Sequence, residues 1–255
     1  MLGDALVIVD PQNDFCDEKG SLYVKGASAD IARLSAYIEK TGESLAGIFV
    51  SLDSHDSAAI FHPTFWVNEV GRHPEPFTPI SRADLNSAKW KAVSTANQPF
   101  AERTFNAMES KKFPFLMVWP EHCVVSTWGH QIASPLRDAL RGWREKTGSA
   151  VRYVFKGENP YTDQFSIFEG VDDAYPETAF NENLFSRFAK FDQVTFAGEA
   201  LSHCVRESIL SYTLRLNAKQ PVFLLTDCTS PVAGFDADES LALLSEAGVS
   251  FAKAG

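Results

Sequence analysis

Residues 192–216 read DQVTFAGEALSHCVRESILSYTLRL and carry both a fold signal and a candidate nucleophile. The run 192–198 is typical of a short buried strand. The run after Cys204 predicts a helix, because four apolar side chains fall on one helical face: Val205, Ile209, Tyr212 and Leu216. Cys204 is therefore expected in the first helical turn after a strand. Free N–H groups and the positive end of the helix dipole favour a thiolate at such a position.

Other short apolar runs recur along the chain, with helical patterns between them. The strand-like runs are 5–9, 46–52, 150–155, 221–226 and 249–252. The helical patterns are 29–40, 130–146, 181–190 and 236–247. Near-continuous apolar strands are typical of a parallel sheet covered on both faces. The alternation predicts an α/β fold with a doubly wound, mostly parallel six-stranded sheet and helices on both faces.

Ionisable side chains follow several of these strands. Asp10, Asp53, Lys156 and Cys204 each stand at the carboxyl end of a predicted strand or just beyond it, where α/β sheets bind their ligands. A carboxylate can take the proton of a thiol, and a nearby ammonium can balance the developing charge. The simpler alternative is that each polar residue ends a strand because it prefers water, and that the thiol is buried and inert.

A second set of residues has the chemistry of a metal site. Asp53 and His55 form an Asp-x-His pair at a strand end, and His62 and His122 follow further along the chain. Carboxylate and imidazole ligands suit zinc, iron, manganese and related divalent ions. Such a pair is weak evidence alone, since a single histidine is more often a hydrogen-bonded or surface residue.

The segment 56–118 interrupts the regular alternation. It is rich in Pro, Phe, Asn and Ser, and it is longer than an ordinary connection between a strand and a helix. A short helix is expected near 85–93 and a strand-like piece at 113–118. We interpret 56–118 as an insertion over the active site, a lid, within one domain that spans residues 1–255.

Composition restricts the class of protein. The 255 residues are 45% hydrophobic and 22% charged, an ordinary globular mixture. A net charge of −10 argues against nucleic acid and anionic membranes as partners. No apolar run approaches the roughly 20 residues of a membrane span. The start lacks a basic region and a cleavage signal, and the four cysteines form no Cys-x-x-Cys pair. We expect a reduced, cytoplasmic protein; a homo-oligomer is compatible with the sequence.

Several motifs in order resemble those of a known family. They are VDPQNDF at 9–15, DSH at 53–55, WPEHCV at 119–124, FKG at 155–157 with FEG at 168–170, and GEALSHCVR at 198–206. Together they span most of the chain. The chain resembles the isochorismatase-like cysteine hydrolases, and within them the nicotinamidase/pyrazinamidase branch.

The resemblance implies a Rossmann-like fold and a catalytic triad of Asp10, Lys156 and Cys204. It implies an oxyanion hole formed by the N–H groups of Ala200 and Cys204, and a cis peptide between Glu199 and Ala200.

The resemblance also implies one divalent metal ion, zinc in the first place, with iron and manganese as alternatives. Its ligands would be Asp53, His55 and His122, with His62 as the candidate for a fourth. An aromatic pocket for a pyridine ring would be formed by Phe15 and Trp119.

The function expected from these residues is that of a nicotinamidase, a hydrolase of linear amide C–N bonds. It would convert nicotinamide, a small aromatic amide, to nicotinate and ammonia through a thioester. The alternatives are an isochorismatase-like hydrolase of another small amide, a carbamoyl compound or isochorismate, and a catalytically silent binding protein of the same fold. An NAD-binding protein is disfavoured, because no Gly-x-Gly-x-x-Gly motif follows the first strand.

Overall fold

The computed structural model describes residues 2–216 and 220–255. The strands in these ranges are β1 (Asp4–Val9), β2 (Leu45–Asp53), β3 (Trp66–Val67), β4 (Thr78–Ile80), β5 (Lys91–Ala92), β6 (Leu116–Val118), β7 (Arg152–Lys156), β8 (Gln193–Gly198), β9 (Val222–Leu225) and β10 (Ser250–Ala252). The α-helices are α1 (Asn13–Cys16), α2 (Ala27–Thr41), α3 (Arg82–Asn86), α4 (Gln98–Ser110), α5 (Ser134–Thr147), α6 (Glu182–Phe188), α7 (Arg206–Arg215) and α8 (Ala237–Glu246).

A six-stranded sheet forms the centre of the molecule, in the order β10-β9-β8-β1-β2-β7. Each neighbouring pair of these strands is parallel. All six strands overlap the strand-like runs of the sequence, and the predicted α/β fold class is confirmed. The helix expected at 130–146 begins only at Ser134, with Pro135 in its first turn. The backbone N–H groups of a first turn have no partner within the helix, so a proline there costs no helical hydrogen bond.

Helices cover both faces of the sheet because alternate side chains of a strand point to opposite faces. Leu6 and Ile8 of β1 belong to one apolar cluster, together with buried residues of α2 and α5. Val7 of β1 and Phe49 of β2 belong to a second cluster, formed with buried residues of α6, α7 and α8. The apolar strands are therefore buried from two sides, which is the doubly wound arrangement.

The segment 56–118 holds two small antiparallel ladders, β3 with β5 and β4 with β6. The helix expected near 85–93 is wrong in its bounds: α3 ends at Asn86, and residues 91–92 form β5. Helix α4 was not anticipated, although its buried Ala101, Thr104, Phe105 and Met108 have helical spacing. Aromatic residues of the segment join the same apolar cluster as α2 and α5. The interpretation as a lid within a single domain stays a prediction.

The strand order reverses beside β1, which lies between β2 and β8. The chain runs outward from β1 through β2 to β7, and later returns on the other side of β1 through β8 to β10. The crevice at the carboxyl ends of β1 and β8 is the switch point at which open α/β sheets bind ligands. Within the described ranges, no helix has the length and apolar character needed to cross a bilayer.

Candidate active site

Three remote side chains meet at the switch point. The Nζ atom of Lys156 is 2.9 Å from Oδ2 of Asp10 and 3.5 Å from Sγ of Cys204. Asp10 follows β1, Lys156 is the last residue of β7, and Cys204 follows β8. All three side chains are buried, with at most 8% of the residue exposed. The structure thus brings an acid, an ammonium and a thiol together at one place; their role as a catalytic triad stays a prediction.

Cys204 lies in a short π-helical turn, Leu201–Val205, immediately before α7. The carbonyl of Ala200 accepts hydrogen bonds from the N–H groups of His203 and Val205 at 3.0 and 3.2 Å. The peptide bond between Glu199 and Ala200 is cis. In the part of the chain that the structure describes, the N–H of Ala200 donates no hydrogen bond. This group is free to serve as a donor to a bound oxyanion.

The electrostatics of Cys204 differ from the sequence expectation of a thiolate. Burial raises the pKa of the Cys204 thiol well above its ordinary value, although the ammonium of Lys156 acts in the opposite direction. The reason is that a thiolate inside the protein loses its hydration, and a helix terminus does not replace it. The thiol is therefore protonated at neutral pH and needs a nearby base.

Asp10 is positioned to be that base. Its backbone has a left-handed conformation, with φ of 42°. The hydroxyl of Ser51 donates to Oδ1 of Asp10 at 2.6 Å and accepts from the Asp10 N–H at 3.0 Å. Burial raises the pKa of the Asp10 carboxyl, against the opposing charge of Lys156. A carboxylate of raised pKa is a stronger base and can accept the thiol proton.

The residues after Asp10 brace the strand ends. The side-chain amide of Gln12 donates to the carbonyl of Asp53 at 2.7 Å and accepts from the Asp53 N–H at 2.7 Å. Asp14 Oδ2 accepts the N–H of Cys123 at 2.7 Å. The Gln12 and Asp14 bonds therefore hold the loop after β1 against β2 and the segment that carries His122.

Asp53 connects this triad to a group of histidines. Its Oδ1 is 2.9 Å from Nζ of Lys156, and its Oδ2 is 2.9 Å from Nε2 of His55 and 3.8 Å from Nε2 of His122. One atom from each of Asp53, His55 and His122 lies within 4.8 Å of the others. Burial opposes ionisation of Asp53, but the charges of His55 and Lys156 outweigh it and lower the pKa of this carboxyl.

The two imidazoles are oriented as metal ligands usually are. Nδ1 of His55 is 3.0 Å from the carbonyl of Gly157, and Nδ1 of His122 is 2.8 Å from the carbonyl of Pro120. A carbonyl partner takes the N–H of one ring nitrogen and leaves the other nitrogen free. Both free Nε2 atoms face Asp53, so these three residues fit a divalent cation.

His62 lies beside the group of Asp53, His55 and His122. Its Nδ1 is 3.2 Å from the carbonyl of Ser57, and its Nε2 is 3.4 Å from Nδ1 of His122. The Nε2 of His62 thus faces the nitrogen of His122 that is already bonded to Pro120. Burial lowers the pKa of His62 to about 4, so the ring is neutral at pH 7. Its role as a fourth ligand stays a prediction.

A narrow pocket of about 30 Å³ lies beside the thiol. Phe15 and Trp119 line it, together with Asp53, His55, His122 and Cys204. Roughly 10–15 Å³ of such space holds one water molecule. The pocket as it stands therefore accommodates about two waters, which is less than an aromatic ring needs.

Some polar residues of the site gave no recognisable signal in the sequence. The backbone carbonyl of Gln164 accepts a hydrogen bond from Nζ of Lys156 at 3.0 Å. The side-chain oxygen of Gln164 accepts a hydrogen bond from the N–H of Gly157 at 3.1 Å. Asp163 also lines the pocket, and burial and the charge of Asp53 raise its pKa to about 7. Ser51 could have been noticed, because it is a polar residue inside an otherwise apolar strand.

No family model matches the chain. Curated relatives include the nicotinamidase of Saccharomyces cerevisiae, 26% identical over 228 residues, which cover 89% of this chain and 88% of the relative. They also include the nicotinamidase/pyrazinamidase of Mycobacterium tuberculosis, 28% identical over 242 residues, which cover 95% of this chain and 92% of the relative.

Solved structures share the fold. The yeast nicotinamidase bound to the inhibitor nicotinaldehyde has a TM-score of 0.70 and 20% identity, with 98% of this chain and 99% of that chain covered. The pyrazinamidase of Pyrococcus horikoshii in complex with zinc has a TM-score of 0.59 and 20% identity, with 98% of each chain covered. The fold class and the resemblance inferred from the motifs are both confirmed by these comparisons.

Proposed function

We propose that this isochorismatase-like cysteine hydrolase of the nicotinamidase/pyrazinamidase branch converts nicotinamide to nicotinate and ammonia. The observation that carries the proposal is the position of the Lys156 ammonium, 2.9 Å from Asp10 and 3.5 Å from the sulfur of Cys204. A base, a charge-balancing cation and a nucleophile in contact are the groups that covalent amide hydrolysis needs. The curated relatives are a nicotinamidase and a nicotinamidase/pyrazinamidase.

The reaction follows from these contacts. Asp10 takes the proton of the Cys204 thiol as sulfur attacks the carboxamide carbon, and Lys156 stabilises the negative charge that remains buried between them. The N–H groups of Ala200 and Cys204 donate to the oxyanion. Asp10 then gives its proton to the leaving nitrogen, the C–N bond breaks and ammonia departs. Asp10 next accepts a proton from water that attacks the thioester, the C–S bond breaks, and the proton returns to sulfur.

Asp53, His55 and His122 would hold a divalent metal ion. When bound, the ion supplies a Lewis-acid contact for the pyridine nitrogen and so helps to orient the ring. Asp53 links that site to the triad, because one of its oxygens faces Lys156 and the other faces the imidazoles. Positioning of this kind can lower a reaction barrier by several kcal/mol.

The substrate ring would lie between Phe15 and Trp119, which line the pocket beside Cys204. Because the pocket holds only about 30 Å³ of open space, the proposal requires its walls to part when the amide binds. The ring itself would then be buried against aromatic side chains.

Replacement of Cys204 tests the proposal. Cys204→Ala is expected to abolish ammonia release from nicotinamide while the circular dichroism spectrum stays that of the wild type. Cys228→Ala is the matched control, since Cys228 is also a buried free cysteine but does not line the pocket. It should retain turnover. Ammonia release by Cys204→Ala at the wild-type rate would end the proposal, and activity on pyrazinamide or isochorismate instead of nicotinamide would reassign the substrate.

Elemental analysis tests the metal. About one equivalent of a divalent ion is expected in the purified protein and should be lost in His55→Ala. His73→Ala is the control, because His73 is exposed and binds the carbonyl of Trp66. Full activity of protein that contains no metal would contradict this part of the proposal.

A further inference from the structure

The narrow pocket beside Cys204 is called the reaction pocket. A second, larger cavity lies next to it. Its volume is about 250 Å³, against about 30 Å³ beside the thiol. An apolar protein cavity of roughly 150 Å³ is large enough to bind benzene. The neighbouring cavity is therefore large enough for an aromatic ring, whereas the reaction pocket is not.

The two spaces share one wall. Trp119, Asp163, Phe165 and His203 line both of them. The ring of His203 packs against those of Trp119 and Phe165, with centroids 5.3 and 5.6 Å apart. Since the reaction pocket must widen to admit an aromatic amide, movement of these side chains would join it to the larger cavity.

The remaining walls are mainly apolar. They are formed by Met108, Phe113, Phe115, Leu116, Met117 and Val171. Phe115 and Phe235 are 40% and 42% exposed, and Phe235 packs on His203 with ring centroids 4.5 Å apart. Partly exposed aromatic side chains thus line the cavity together with the buried Met108, Leu116 and Val171. This arrangement is suited to an apolar group rather than to a hydrated one.

Apart from Asp163, which stands in the wall shared with the reaction pocket, the charged residues of this cavity are paired with each other. Arg206 and Glu207 line it and form an ion pair with each other at 2.9 Å. Their charges are therefore balanced within the protein. An ionic group would have to give up its hydration to enter and would find no unpaired opposite charge among these two residues.

We propose that the cavity receives a neutral, apolar substituent, about the size of a phenyl group, carried on the ring of an aromatic primary carboxamide. The carboxamide would lie at Cys204 and the substituent would pass the shared wall. Asp163 stands in that shared wall. Among the hydrogen bonds described for its side chain, it accepts only the N–H of Gln164. Its second oxygen can therefore accept a hydrogen bond from a donor at the junction. This inference rests on the proposed amide hydrolysis and extends its range of substrates.

The test compares nicotinamide with 4-phenylnicotinamide and 5-phenylnicotinamide on the metal-loaded wild-type enzyme. Burial of a phenyl group should lower KM by about 10-fold for at least one of the two phenyl amides. Turnover of nicotinamide with no turnover of either phenyl amide would overturn the inference and leave the proposed function standing. Turnover of none of the three would overturn both.

A cavity-filling variant makes the test specific. Met117→Trp adds volume to a wall that only the larger cavity has. It should lower kcat/KM for the preferred phenyl amide by about 10-fold or more and change that for nicotinamide little. Val93→Trp is the matched control, because Val93 is 52% exposed and lines neither cavity. An equal loss on both substrates, or an equal effect of the two variants, would overturn the assignment; the wild-type comparison decides it if Met117→Trp does not fold.

Discussion

Replacement of Lys156 by methionine tests the charge balance at the centre of the site. Methionine approximates the lysine chain and removes only the ammonium, which is 2.9 Å from Asp10 and 2.9 Å from Asp53. At an effective dielectric of about 20, each contact contributes about 6 kcal/mol of attraction. Removal of the ammonium also removes its own burial penalty, of several kcal/mol. We expect a net loss of about 3–5 kcal/mol in the free energy of unfolding, as for other broken buried pairs.

Urea unfolding at pH 7.5 measures this loss, and Lys89→Met is the matched control. Lys89 is 2.7 Å from Asp84, but its side chain is 60% exposed. An exposed pair of this kind contributes about 1 kcal/mol or less. The two variants therefore lose the same group from ion pairs of similar length and differ in burial. Lys156→Met should also lower the rate of ammonia release by about 100-fold or more.

The loss of unfolding free energy in Lys156→Met depends on pH with a definite sign. Burial opposes the charge of Lys156, but Asp10 and Asp53 outweigh it and raise its pKa well above the ordinary value. A raised lysine pKa contributes stability that is fully present below about pH 10 and is lost above it. The deficit of Lys156→Met should thus persist between pH 6 and 9. A deficit as small as that of Lys89→Met, with hydrolysis at the wild-type rate, would refute the electrostatic reasoning.

Three further predictions concern the surroundings of the triad. Gly157→Ala should lose metal and activity, because a Cβ at this position would lie 2.4 Å from the His55 ring. Gly148 has a similar positive φ but open space around it, so the control Gly148→Ala should lose only about 1–2 kcal/mol of stability. Metal retention in Gly157→Ala would contradict this prediction. Burial lowers the pKa of His203 to about 4, so the unfolded state takes up the proton first and stability falls from pH 6.5 toward 4. His203→Gln should reduce the difference in unfolding free energy between pH 7 and pH 5 by about 1–2 kcal/mol. An unchanged difference would show that the pKa of His203 is not lowered in the folded protein. Burial raises the pKa of Glu199 well above its ordinary value, so Glu199→Gln should change the urea-unfolding free energy by less than about 1 kcal/mol, and a larger loss would show an ionised carboxylate.

Much of the fold could be inferred from local patterns. The apolar runs predicted all six strands of the central sheet, because a strand buried on both faces needs apolar residues throughout its length. Helix α4 was missed although its buried residues are spaced as on a helix, because it lies in a segment rich in proline and polar residues. The bounds expected for α3 were wrong for a similar reason: weak local preference at 85–93 gave way to pairing of β5 with β3.

The candidate site could be inferred only as a set of residue types. The carboxyl ends of parallel strands share one edge, so Asp10, Asp53 and Lys156 were expected near one another. The contact of Lys156 with both carboxylates depends on the register of Asp53 beside Lys156 in β2 and β7. The protonated state of Cys204 depends on burial, which a helix-terminus argument does not measure.

The amino-acid sequence by itself determined the parallel α/β fold, the turn that presents Cys204 and the types of group available for amide hydrolysis. These properties follow from periodicity and motifs that extend over a few neighbouring residues. Only the tertiary structure decided that one carboxylate, Asp53, faces both the triad and the imidazoles, that His62 is turned toward the bonded nitrogen of His122, and that a ring-sized cavity adjoins a narrow reaction pocket. Such features depend on sheet order, register and side-chain packing between residues that are far apart in the chain.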